Sequence, residues 1–258
     1  MPNFISDGHS LDYVVHGSGR PVVLLHGICV SFAGNFASCG WIERLSAKGF
    51  QVIGLDFRGH GGSDKIHDAS AYGTAKLAGD VIALLDHLAI DRASLIGFSL
   101  GSMIALRLLH AAPQRCGPSV LIATGDGLIG IPPYTMAETS PQLIDVLARP
   151  DFPANLPSHF AMYWKFATKV GGDRVAALAA ASAPYPACSL ENAATIEVPV
   201  LVVSGECDPV LGRGPRLAQA IPQGRYVEIP GADHFMLARD ETAQVAAVEF
   251  LAGSAESR

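Results

Sequence analysis

Five short apolar runs recur along the chain, and each ends near Gly, Asp or His: "PVVLLHG", "QVIGLDFRG", "ASLIGFS", "SVLIATGDG" and "PVLVVSGECD". They are apolar at consecutive positions and rich in Val, Ile and Leu, the pattern of parallel strands covered by helices on both faces. "LDYVVHG" before them and "RYVEIPG" after them are more polar and predict edge strands. Between Gly73 and Ile90, apolar Leu77, Val81, Leu84, Leu85 and Leu88 follow helical spacing and predict one amphipathic crossover. A second helix is predicted from Ser99 through "LGSMIALRLLHAA". It stops before Pro113, since proline lacks an amide proton and clashes with the preceding turn. "ETAQVAAVEFLAG" predicts a closing helix. The alternation of strand and helix predicts an α/β fold with a mostly parallel, doubly wound sheet and right-handed crossovers.

One segment breaks this rhythm. From about Gly125 to Pro199 no strong strand pattern occurs, and nine of the chain's 17 prolines fall there. Helical stretches such as "SHFAMYWKFATK" and "DRVAALAAAS" lie between proline pairs and glycines. The expected organisation is a core of residues 1–124 and 200–258, with residues 125–199 inserted as a helical cap. An insertion near the carboxyl ends of the strands suits a cap, because open α/β sheets bind ligands at that edge. "GSAESR" reads as a frayed tail.

A length of 258 residues with 49% hydrophobic side chains suffices for one sizeable α/β domain. The net charge of -6, with 18 scattered Lys and Arg, argues against a nucleic-acid partner. No apolar run approaches a membrane span, and "MPNFISDGHSLDY" lacks a signal core, so a cytoplasmic location away from membranes is the expectation. Cys29, Cys39, Cys116, Cys188 and Cys207 are odd in number and widely spaced, which suggests reduced thiols rather than disulfides or a zinc site.

Against this background "GFSLG" stands out as GxSxG, in which a sharp strand-to-helix turn exposes a serine hydroxyl above the sheet. Gly97 and Gly101 matter because such a turn crowds side chains at those positions. The competing reading makes Ser99 a helix N-cap, a common role for serine. A serine nucleophile requires a base, and the base an orienting acid. "GADHF" offers His234 in a loop before the closing helix, and "VLVVSGECDPV" offers Asp208 just past an apolar strand. Asp126, after "SVLIATG", is a rival for the acid role. Asp233 adjoins His234, but adjacent side chains diverge.

A tetrahedral intermediate also needs backbone donors aimed at its oxyanion. Leu100, which follows the serine, supplies one at its helix start. In "HGICVSF" the Gly27 hinge makes the amide of Ile28 the candidate for the second. His26 and Gly27 read as a strand-end turn with a hydrogen-bonded histidine.

Taken together, "LLHGI", "LDFRGHGGSD", "GFSLGS", "LVVSGECDP" and "GADHF", in this order, resemble the α/β-hydrolase superfamily over nearly the full length. The resemblance implies that Asp56, Arg58, Gly59, Gly61 and Ser63 brace the sheet edge near the site, and that His60 is not catalytic. A serine at position 99 counts against the dehalogenase and epoxide-hydrolase branches, which carry Asp there. "HGICVSF" lacks the HGGG run of one lipase group, the glycine-rich loop of carbon-carbon bond hydrolases and the Trp common in cofactor-free haloperoxidases.

The implied activity is that of a small serine esterase, thioesterase or lactonase with catalytic Ser99, Asp208 and His234. It requires no metal and no organic cofactor, and the implied partner is an uncharged, moderately apolar small-molecule substrate. A monomer and a homodimer both fit. Tyr134, Tyr163 and Trp164 are the candidate substrate contacts among large cap residues that also include Phe152, Phe160, Met162 and Phe166; most of these side chains are expected to pack the cap onto the sheet. The alternatives are a carbon-carbon bond hydrolase or perhydrolase using the same triad, and a ligand-sensing receptor on the hydrolase scaffold.

Overall fold

A computed structural model describes residues 1–131, 136–152, 155–168 and 172–254. Eight strands form one sheet: β1 (Asn3–Ser6), β2 (His9–His16), β3 (Arg20–Leu25), β4 (Phe50–Leu55), β5 (Ser94–Phe98), β6 (Ser119–Ile122), β7 (Val200–Gly205) and β8 (Gly224–Ile229). Their order is β1-β2-β4-β3-β5-β6-β7-β8. β2 runs antiparallel to β1 and β4, and the remaining pairs are parallel. The five apolar runs are the central parallel strands, as their patterning predicts, and β8 is an edge. β2 is not an edge, because β1 pairs outside it through a two-residue turn at Asp7 (φ 50) and Gly8 (φ 81). That "DG" between two short alternating stretches is a hairpin signal available in the sequence.

Ten helices are described, beginning with α1 (Phe32–Asn35), α2 (Trp41–Ala47), α3 (Thr74–His87), α4 (Leu100–Ala111) and α5 (Met136–Ala148). The rest are α6 (Ser158–Thr168), α7 (Arg174–Ala181), α8 (Leu190–Ala194), α9 (Pro215–Ala220) and α10 (Glu241–Gly253). α3, α4 and α10 occupy the predicted spans, whereas α1 and α2 are too short and too interrupted by Gly34 and Gly40 to carry a clear period. Successive β3 residues serve opposite faces: Val23 and Leu25 join Val81 and Leu84 of α3 and Ile104 of α4, while Val22 and Leu24 join Trp41 of α2 and Val248 of α10. Each such buried side chain contributes about 2 kcal/mol. No helix among the described residues is long and apolar enough to cross a membrane.

β3 and β5 are neighbours whose chains cross over in opposite directions, to β4 and to β6, which opens a crevice beyond their carboxyl ends. Between β6 and β7 the described residues form helices and loops without strands. Leu143 and Leu147 of α5, Phe160 and Tyr163 of α6 and Ala177 and Ala181 of α7 cluster with Cys29, and Ile28, Val210 and Phe235 pack against them. α5, α6 and α7 therefore rest on the loops that follow β3, β7 and β8. α8 packs instead on α4 and α9.

Candidate active site

The turn from β5 into α4 holds Ser99 at φ 53 and ψ −110, a left-handed conformation that costs a non-glycine residue about 1–3 kcal/mol. Close approach of the helix to the sheet enforces it. A Cβ on Gly101 would stand 1.9 Å from the Leu25 carbonyl oxygen, and one on Gly97 would stand 2.4 Å from that of Gly101. Ser102 ties the turn down by donating its hydroxyl toward the Gly97 and Ile122 carbonyls. Ser99 occupies the N-cap position of α4 but makes no side-chain cap bond. Its Oγ lies 3.0 Å from His234 Nε2 instead.

His234 follows β8, and its Nδ1 lies 2.8 Å from Asp208 Oδ2 in the loop after β7. The partners assign the tautomer, with Nδ1–H donating to the carboxylate and Nε2 accepting from the serine. All three side chains are buried. Burial alone would raise the Asp208 carboxyl. The His234 ring beside it and the amides of Val210 and Leu211, at 2.7 and 3.1 Å from Oδ1, together hold it below its ordinary value. Phe98 and Phe235 meet the imidazole edge-on at 5.7 and 5.4 Å between centroids and hold its plane. Asp126 turns elsewhere, accepting the Leu217 amide at 2.9 Å at the start of α9. Asp233 accepts the amides of Phe235 and Met236.

The amides of Ile28 and Leu100 have no hydrogen-bond acceptor among the described residues. They flank Ser99 along the wall of one cavity. The Ile28 loop is braced from several directions. Gly27 donates its amide to Asn35 Oδ1 at 2.8 Å, Cys29 donates to His60 Nε2 at 3.0 Å, and Phe32 donates to Asp56 Oδ1 at 2.7 Å. Cys29 itself sits at φ 66. His26 reaches the Gly27 carbonyl through Nδ1 and accepts the Phe57 amide at Nε2. Beyond it, Arg58 is buried in a forked pair with Asp80, and Ser63 donates to the Asp56 carbonyl. Asn35 and His60 escape sequence reasoning as supports of this loop. The buried histidine in "RGHGG" is the available signal for one, and nothing local marks the other.

Burial lowers the pKa of both His26 and His60, the latter to about 3 with His26 as a second cause. Each ring is therefore neutral when folded but takes up a proton near 6.5 when unfolded, so stability is lost as pH falls below 6.5. For His60 the loss is about 1.4 kcal/mol per pH unit. Between about pH 7.5 and about pH 5.5, wild type is expected to lose about 1.4 kcal/mol more than a His60→Gln variant, measured by urea unfolding. Equal losses would contradict a neutral buried His60.

The cavity at Ser99 measures about 50 Å³ and has mostly apolar walls, among them Ile28, Leu143, Phe160, Val210 and Leu211. Tyr163 lines it, its phenol pushed up by burial and by the nearby negative Asp208, so that it remains a donor facing Ser99. Trp164 does not line it, which corrects the expectation for that residue. One position along a helix turns the side chain by about 100°, and the indole packs edge-on against Phe152 with its N–H directed to the Arg149 carbonyl. Tyr134 lies outside the described residues. Tyr185, between α7 and α8, lines the cavity unforeseen, since its stretch carries no helical or strand period. Among the described residues no three His, Cys, Asp or Glu side chains are grouped to hold a metal ion, and all five cysteines are free.

A family profile for the alpha/beta hydrolase fold matches residues 20–169. In an alignment of 263 positions the chain is 29% identical to a Mycobacterium tuberculosis protein provisionally named the non-heme bromoperoxidase BpoC, covering 94% of this chain and 98% of that one. Among solved structures, a hydrolase from Pseudomonas aeruginosa PA01 superposes with a TM-score of 0.78 at 26% identity over 97% of each chain. The enol-lactonase of Burkholderia xenovorans LB400 superposes with a TM-score of 0.74 at 26% identity, over 97% of this chain and 99% of that one.

Proposed function

Since the chain belongs to the α/β-hydrolase family, we propose that it is a serine hydrolase of carboxylic esters, thioesters or lactones, working through an acyl-enzyme on Ser99. The observation that carries this reading is the continuous contact from Asp208 through His234 to Ser99 beside two amides without acceptors. As Ser99 Oγ attacks the acyl carbon, His234 Nε2 takes its proton, and Asp208 stabilises the resulting imidazolium. The Ile28 and Leu100 amides donate to the oxyanion. Collapse of the intermediate expels the alkoxide or thiolate, which receives the proton from His234. Water deprotonated by the same nitrogen then releases the acid and restores Ser99.

In this reading the insertion of residues 125–199 acts as a cap, with α5, α6 and α7 closing an apolar wall over the acyl group and excluding water. Tyr163 is a polar contact for the substrate. The likeness to an enol-lactonase supports ester-type cleavage as the reaction class. A second reading, perhydrolysis with the same triad, draws on the relative named for bromoperoxidase activity, although Ile28 stands where Trp is common in that group.

Turnover of p-nitrophenyl esters, a thioester, a lactone, a β-diketone and acetate with hydrogen peroxide separates these possibilities. Hydrolysis of the esters or the lactone with an initial burst of released alcohol is expected. Turnover of the diketone alone, or of peroxide alone, would defeat the ester reading.

A further inference from the structure

α4 carries a row of side chains leading away from the nucleophile. Ser99 at its N-cap is followed by Met103, Arg107 and His110 at intervals of four, four and three residues, which stacks them along one side of the helix. The first two line the cavity of about 50 Å³ at the nucleophile. Met103, Arg107 and His110 line a second, larger cavity of about 230 Å³, open to solvent on the side of the exposed Arg107 and bounded by Thr74 at the start of α3 and by residues 186–188 and 192. Among the described residues Met103 alone lines both. It is buried, unbranched and able to change rotamer at little cost, as a partition between two voids requires.

The far cavity differs chemically from the near one. Leu106, Leu128 and Pro186 contribute apolar wall, but no carboxylate lines it. The Arg107 guanidinium has no acceptor among the described residues. His110 uses Nδ1 on Thr195 Oγ1 at 2.8 Å, whose own hydroxyl donates to the Asn192 carbonyl. Thr74 and Asn192 add neutral polar side chains. One planar guanidinium with neutral donors beside it matches a single carboxylate, which accepts in a two-pronged fashion. Eight residues of helix separate Arg107 from Ser99, a span of about 12 Å.

We propose that the second cavity is the distal subsite of the substrate, and that it binds the terminal carboxylate of a medium-length acyl chain whose ester carbonyl lies at Ser99. Met103 is the gate through which the chain passes. The substrate class is thus an ester or thioester of a dicarboxylic acid, esterified at one end, and the expectation of an uncharged substrate holds only for the part near Ser99. The proposal rests on the reading of Ser99 as nucleophile.

The test compares the p-nitrophenyl half-ester of suberic acid with p-nitrophenyl octanoate, of equal length but uncharged at its end. Wild type is expected to favour the half-ester. In Arg107→Gln the ratio of kcat/KM for half-ester over octanoate falls about tenfold or more, the loss of a charge-assisted hydrogen bond. Met103→Phe is expected to lower kcat/KM for both eight-carbon esters more than for p-nitrophenyl acetate, whose acyl group ends within the cavity at Ser99, and equal losses on all three overturn the gate. An unchanged ratio in Arg107→Gln, with the esters still hydrolysed, overturns the subsite and leaves the ester reading standing. If no ester is turned over, the ester reading fails, and calorimetric binding of monoethyl suberate decides the subsite separately. Binding weakened about tenfold in Arg107→Gln supports it, and absent or equal binding overturns it.

Discussion

Replacement of Ser99 by alanine is expected to lower ester turnover by about 10⁵- to 10⁶-fold and to abolish labelling by a fluorophosphonate. The hydroxyl is the one group in the cavity that is hydrogen-bonded to an imidazole whose other nitrogen is already held by a carboxylate. Without it, the Ile28 and Leu100 amides and the apolar walls still bind the acyl group, which accounts for a residual acceleration of about 10³-fold over water. Folding should be nearly untouched. Ser99 makes no cap bond to lose, and alanine tolerates the left-handed conformation no worse than serine. Thermal denaturation checks this alongside the kinetics. Labelling that persists in a folded Ser99→Ala protein would place the nucleophile elsewhere.

The second large effect concerns the acid. Asp208→Asn is expected to reduce kcat by about 10⁴-fold while preserving the fold. Asparagine keeps an oxygen for the amides of Val210 and Leu211, but its NH₂ then faces His234 Nδ1. That pairing favours the tautomer with its proton on Nε2, which cannot accept the proton of Ser99. Asp126→Asn is the control. Its Oδ1 accepts the Leu217 amide, a bond that asparagine keeps without the charge, so the start of α9 should be little changed and kcat should stay within about twofold of wild type. A reversed pair of outcomes would transfer the acid role to Asp126.

Much of this molecule is legible along the chain. The consecutive apolar runs and the intervening helical period define the central strands and helices α3, α4 and α10, because both signals depend only on which faces a segment must bury. The order of Ser99, Asp208 and His234, each just past a strand, is equally visible. So is the crowding that demands glycine at 97 and 101. β1 escapes because four residues are too few for a period, and only the "DG" turn marks it.

Local pattern could not decide what long-range contact decides. His234 meets Ser99 across 135 residues and Asp208 across 26, and both Asp126 and Asp208 lie shortly after strands of the same sheet. Only the course of the loops after β6 and β7 determines which carboxylate reaches the imidazole. Likewise Tyr163 rather than Trp164 faces the cavity, and Asn35 from α1 and Asp56 and His60 from the stretch after β4 converge on one loop. Periodicity is set by neighbours in sequence and so can be read from it. Which side chains meet depends on strand order and on the rotation of each helix against the sheet, and these are settled by packing of the whole core.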